Sequence, residues 1–189
     1  MKVSSMEEFD AVVVGGGMAG LSAGVFLGRA GVRTCLLDAS ESSLRRVERV
    51  NNYIGFPDGI GGAELLERGR EQAVRFGVRV LDANVASIAL DSPGFAVRTG
   101  THDIRCRFMI LASNKRTDLA SGLGLALGGH GGRFVSVDED GRTAVPGCFA
   151  AGRITGKPSQ AVVAAGDGAR VAIAIIQELR GGYYVDHDT

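Results

Sequence analysis

The chain has 189 residues, enough for one domain with a buried core, and its 21 lysines and arginines are balanced by 21 aspartates and glutamates. A formal net charge of zero leaves no electrostatic footprint for nucleic acid or an anionic membrane. No apolar run is long enough to span a bilayer, and no signal-peptide pattern precedes the first expected strand, so a cytoplasmic protein without membrane or nucleic-acid partners is expected.

Residues 1–8 read as a loose lead-in. The stretch from Asp10 to Ala23 organises the rest of the chain: a β-branched apolar run, Val12-Val13-Val14, stops at Gly15-Gly16-Gly17, and small apolar residues continue at helical spacing through Leu27. Gly15, Gly17 and Gly20 fit G-x-G-x-x-G in the strand–turn–helix context that makes this pattern informative. The first glycine permits the sharp turn, the second lets a pyrophosphate approach the backbone, and the third lets helix and strand pack closely. The next strand, Val32 to Leu37, ends at Asp38, about 20 residues on, where a carboxylate accepts hydrogen bonds from a ribose diol. Together these residues predict a dinucleotide site.

The polar stretch Ala39 to Arg49 reads as a solvated face and Val50 to Ile60 as a turn-rich loop. A helix is expected over Gly62 to Gly77, with Leu65, Leu66, Ala73 and Phe76 on its apolar side. Val78 to Leu90 reads as a strand with a bend at Asp82-Ala83. Strands over 95–99 and 103–107 complete a small antiparallel meander, which feeds a separate apolar strand over Phe108 to Ala112. Asn114 to Arg133 reads as loop. Its glycine run at Gly122-Leu123-Gly124 lacks the preceding strand that phosphate binding requires. Short strands are expected at Phe134 to Val137 and Cys148 to Ala151, and Ser159 is placed to cap a last helix that stops at Gly181-Gly182. Cys35, Cys106 and Cys148 are too far apart for a C-x-x-C or zinc pattern, and the three histidines show no ligand spacing, so neither a metal site nor a catalytic residue is predicted. His130, in a glycine-rich loop, reads as surface.

Several ordered segments resemble the FAD domain of the thioredoxin reductase family, within the pyridine nucleotide-disulphide oxidoreductases. They are Gly15 to Ala23, Asn52-Tyr53-Ile54-Gly55-Phe56-Pro57, the helix ending Phe76-Gly77, Thr143 to Gly152, and Gln160 to Ala169. The resemblance implies an α/β, Rossmann-like FAD-binding domain over 1–189, with a central parallel sheet, a small antiparallel β-meander, and FAD as cofactor. It also implies a two-fold homodimer. It places Gly15, Gly17, Met18, Ala19 and Gly20 at the FAD pyrophosphate, Asp38 at the adenosine ribose and Val85 at the adenine. Asn52 would reach the flavin end, Ala112 and Gly152 would pass close to the cofactor, and Gln160 and Ala161 would face the isoalloxazine carbonyl edge.

The departures matter as much. The family inserts an NADPH domain carrying a redox C-x-x-C, and here residues 114–133 stand in its place as a short linker. The family's Thr-Gly after the parallel strand is Ser113-Asn114, a glutamine near the ribityl chain is Ser43, and the aspartate expected after Gly152 is Arg153. Arginine carries donors only, so Arg153 is expected to turn from the ribityl hydroxyl to the FAD phosphates. An FAD-dependent oxidoreductase of truncated thioredoxin reductase type, served by an external electron donor or partner protein, is the leading expectation. A non-catalytic FAD-binding module, or one subunit of a multi-protein reductase, is the alternative. NAD competes with FAD for the glycine turn taken alone, as in an NAD-sensing regulator.

Overall fold

The computed structural model describes residues 6–185. Strand β1 (Glu7–Val14) is buried from Ala11 to Val14, as a β-branched strand covered on both faces should be. It pairs in parallel with β2 (Thr34–Asp38) on one side and β6 (Asp103–Leu111) on the other, and β3 (Arg79–Asp82) extends the parallel set beyond β2. The outer edge of β6 is shared. Residues 103–106 pair antiparallel with β5 (Gly94–Thr99), which pairs onward with β4 (Val85–Asp91), whereas 109–111 pair in parallel with β9 (Cys148–Ala150). The expected α/β architecture, a mostly parallel sheet with an antiparallel meander, is the one observed.

Strand alternation divides the core. Ala11, Val13, Leu36, Phe108, Ile110 and Phe149 pack with the helices α1 (Met18–Arg29), α2 (Gly62–Arg75) and α4 (Ala161–Arg180). Val12, Val14, Leu37, Met109 and Leu111 pack on the other face with Ile88, Phe95 and Val97 of the meander and with Leu119 and Ala120 of α3 (Asp118–Gly122). Helix α1 is wedged between the glycine turn and α4. A Cβ on Gly20 would stand 1.8 Å from the Gly15 carbonyl oxygen, and one on Gly168 would stand 1.9 Å from that of Ala19.

Five sequence expectations change. Glu7 and Glu8 belong to β1 rather than to a loose lead-in, with Glu7 bonded to Arg79 and His102; residues 1–5 lie outside the described residues. The strand expected over 78–90 is two strands, β3 and β4, which belong to the parallel and antiparallel parts of the sheet. The segments 103–107 and 108–112 are one strand, because β6 changes partner midway rather than breaking. The 114–133 linker contains α3 and, with Phe134–Val135 (β8), a hairpin through β7 (Leu127–Gly128). The N-cap of α4 is Gln160, not Ser159, and no side chain bonds there.

The α1–α4 contact yields a paired test. Gly168→Ala should lower urea stability by ~1–3 kcal/mol through overpacking. Gly166→Ala, whose added Cβ would meet nothing within 4 Å, should instead raise it by ~0.5–1 kcal/mol through helix propensity.

Candidate functional site

The C-terminal ends of β1, β2, β6 and β9 open into a cleft of about 360 Å³, walled by residues 14–19, 37–39, 41–44, 83–85, 112–116, 151, 153 and 158–161 among others. This is the edge at which open parallel sheets bind ligands, and the volume is in the range of small-molecule sites.

Each glycine of the turn has a distinct reason. Gly15 adopts φ +116°, and a Cβ there would lie 2.4 Å from the Ala112 carbonyl oxygen, so the turn can pass the end of β6 only without a side chain. A Cβ on Gly16 would lie 2.2 Å from the Asp38 carboxyl carbon. Gly17 is different: an added Cβ would meet only Ser42 Oγ, at 3.7 Å, so the space beyond Gly17 is open cleft. Helix α1 begins at Met18 with no side-chain cap and no acidic residue in its first turn, and α4 begins at Ala161 in the same way. Both N-termini therefore present unpaired N–H groups and a partial positive charge. The helices α2 and α3 carry Glu64 and Asp118 in their first turns.

Asp38 closes one end of the cleft. It is buried at 4% exposure; Oδ1 accepts the Ser40 N–H at 2.8 Å and Oδ2 accepts Arg45 Nη2 at 3.2 Å. A carboxylate has about four lone-pair positions, so capacity for a diol remains. Val85 and Asn84 stand beside it, tied in by the bond from Ala83 N–H to the Asp38 carbonyl at 3.0 Å. At the other end Asn52 Nδ2 donates to Gln160 Oε1 at 2.9 Å, joining the loop closed by the Val50–Ile60 bridge to the start of α4. Asn52 and Gln160 also line a smaller recess that shares Leu44, Val47, Ser159 and Ala161 with the cleft.

Of the residues singled out in the sequence, Gly15, Gly17, Met18, Ala19, Asp38, Val85, Ala112, Arg153, Gln160 and Ala161 come together in the cleft wall. Gly20, Asn52 and Gly152 stand behind it. Gly20 serves helix–strand packing, Asn52 bonds to Gln160, and Gly152 (φ +78°) turns the chain after β9. Arg153 is half-buried, with its guanidinium 6.0 Å from the Phe134 ring centroid, a cation–π arrangement that keeps it at the cleft wall.

Sequence reasoning missed two contributors. The segment Ser113 to Arg116 lines the cleft, and Arg116 ties it to Asn84 and, at 2.7 Å, to Asp118; that bond holds the Asp118 carboxyl below the usual carboxylate range. Its signal was a basic pair directly after an apolar strand. Asp167 is buried within α4 and accepts the Gly152 N–H at 2.6 Å. Its signal was an acid flanked by glycines within the apolar first half of the helix.

No group of His, Cys, Asp and Glu suited to a metal ion occurs among the described residues. His130 is exposed and apart from the cleft. All three cysteines are free and buried; burial pushes the Cys35 and Cys106 thiols up to about 12 and that of Cys148 to about 11. No described helix is long and apolar enough to cross a membrane.

A glycine turn open at Gly17, two uncapped helix N-termini and a carboxylate at the end of β2 fit an extended anionic dinucleotide at the strand ends of an α/β sheet. Residues 8–49 match the family model described as FAD binding domain. The chain is 32% identical over 111 residues to the thioredoxin reductase of Mycolicibacterium smegmatis, covering 58% of this chain and 36% of that protein. It is 27% identical over 181 residues to the thioredoxin reductase of Chlamydia pneumoniae, covering 93% of this chain and 56% of that one. The solved structure of a thioredoxin reductase from Gloeobacter violaceus superposes with a TM-score of 0.89 at 21% identity, covering 98% of this chain and 99% of that one. The chain is similar to the FAD domain of thioredoxin reductases, and these matches imply FAD as its cofactor. Its sequence match spans about half or less of the length of those two curated relatives.

Two outcomes are expected. Gly17→Val should fold, since nothing blocks its side chain, yet weaken FAD binding at least about tenfold, or ~1.4 kcal/mol, in a fluorescence titration, because the branched side chain occupies the phosphate approach. Iodoacetamide at pH 8 should label the folded chain very slowly, since all three thiols titrate far above that pH, and should label the urea-unfolded chain fully.

Proposed function

We propose that this chain is a single FAD-binding domain acting as an FAD-dependent oxidoreductase of truncated thioredoxin reductase type, supplied with electrons by an external donor or partner protein. One observation carries the reading. The connection from Ala112 to Cys148, where the family places its NADPH domain, holds only the short α3 and the β7–β8 hairpin among the described residues. The buried cysteines, none of which lines the cleft, support a scheme without an internal dithiol relay. A homodimer, as the resemblance implies, and a cytoplasmic location are part of the proposal.

When bound, FAD supplies the redox chemistry. The residues of this chain bind and orient it. The N-termini of α1 and α4 stabilise negative charge on the diphosphate and at the isoalloxazine carbonyl edge. Asp38 receives the ribose hydroxyls, and the Asn52–Gln160 pair sets the flavin end of the cleft. The alternative, a binding module without turnover or a subunit of a larger reductase, is favoured by one feature: among the described residues neither a histidine nor a cysteine lines the cleft.

The purified protein should be yellow, with a flavin absorption spectrum. Under anaerobic conditions NADPH alone should reduce that flavin slowly and without saturation. Rapid, saturable bleaching at micromolar NADPH would show that the chain needs no separate nicotinamide site.

A further inference from the structure

Asp167 is a charge where α4 is otherwise apolar and small, and its side chain is only 5% exposed. A carboxylate withdrawn from water is costly unless its oxygens are paired and hydrogen-bonded. Both are. Oδ1 accepts Arg170 Nη2 at 2.7 Å and Nε at 3.3 Å, and Oδ2 accepts the backbone N–H of Gly152 at 2.6 Å. Arg170 is itself held by the Glu139 carbonyl. The acid thus reaches across from the helix to grip the backbone at the end of β9.

What it grips is the turn that carries Arg153. Gly152 has φ +78°, its carbonyl accepts Thr155 Oγ1 at 2.8 Å, and a Cβ on it would lie 2.9 Å from the Cβ of Ala19 in the first turn of α1. Both polar backbone groups of Gly152 are therefore held by side chains, and the turn is pressed against the helix end that faces the cofactor. Arg153 comes directly after it and stands in the cleft wall beside Phe134. In a chain whose residue 153 is arginine, a carboxylate behind the turn fixes the backbone while leaving the cleft side to a cation.

We propose that Asp167, clamped by Arg170, is a positioning residue of the cofactor site: it holds the Gly152 amide so that Arg153 is presented to the FAD diphosphate. The inference rests on the FAD reading. The test titrates FAD into apoprotein and records the thermal midpoint of each apoprotein in parallel. Asp167→Ala should weaken FAD binding about tenfold, by leaving a buried N–H without its acceptor and freeing the turn. Asp167→Asn keeps an acceptor oxygen and should stay within about threefold. In an Arg153→Ala background, Asp167→Ala should change affinity little, because no side chain remains to be presented. Additive losses overturn the proposal, and so does a lowered midpoint with FAD affinity unchanged, which marks a purely structural acid. If Asp167→Ala does not fold, Arg170→Met takes its place in the same cycle, and equal weakening with and without Arg153 overturns the idea. A wild-type chain that takes up no FAD would sink the functional reading itself, whereas wild-type binding that Asp167→Ala leaves untouched would sink only this proposal.

Discussion

Helix α1 can lie where it does only because no side chain stands at Gly20 or Gly168. Those two positions put the helix backbone against the turn after β1 and against α4, and a Cβ at either would sit inside a carbonyl oxygen's contact distance. The shape of the cleft depends on that approach. The first turn of α1 arrives beside the ends of β1 and β6, and the start of α4 arrives opposite it, across a gap that the sheet edge leaves open. The apolar cluster beneath, from Val13 and Ile110 to Val171 and Ile175, keeps the helices in register with the strands. An interior packed this closely resists small displacements, so the two helix ends are held at a set separation.

The electrostatics of the site are local. With no net charge, the chain as a whole exerts little long-range attraction on an anionic ligand. The positive potential comes from two helix ends, each worth roughly half an elementary charge, with Lys115, Arg116 and Arg153 in the wall. Asp38 and Glu41 supply the opposite sign where a neutral sugar would lie. Cations and carboxylates lie close together in this wall: Arg116 is bonded to Asn84, which stands beside Asp38.

Much of this was legible in the sequence where the backbone itself imposes the residue. Gly15 and Gly20 could be read because only glycine fits the contacts they make, and Asp38 because it ends an apolar strand at a fixed distance from the turn. The legibility failed where tertiary partners decide. The residues of β6 change from alternating to continuously apolar at Arg107-Phe108, which looks like two strands. In fact one strand passes from a half-exposed antiparallel neighbour to a fully covered parallel one. A bend was legible at Asp82-Ala83, but without glycine or proline there the chain's passage from one part of the sheet to the other was not. Ser159 is a better intrinsic cap than Gln160, but Gln160 is bonded to Asn52, and that long-range bond favours it as the first residue of the helix boundary. The acid at Asp167 and its i,i+3 partner Arg170 were legible, but its grip on the Gly152 N–H was not, because no residue type reveals a backbone partner.

The contact between α1 and α4 joins segments that lie far apart along the described chain. The glycine turn forms from neighbours in sequence, and the strands β1 and β2 need only the short helix between them. The opposite wall of the cleft, from Arg153 to Ala161, comes from residues that lie far along the chain, and closing so long a loop is entropically slow. A nascent chain that has not yet released α4 therefore owns half a site and no cleft. A ligand that needs both walls would be captured only once α4 has docked. A ligand that binds only the docked state would add its binding free energy to the stability of the contact between α1 and α4.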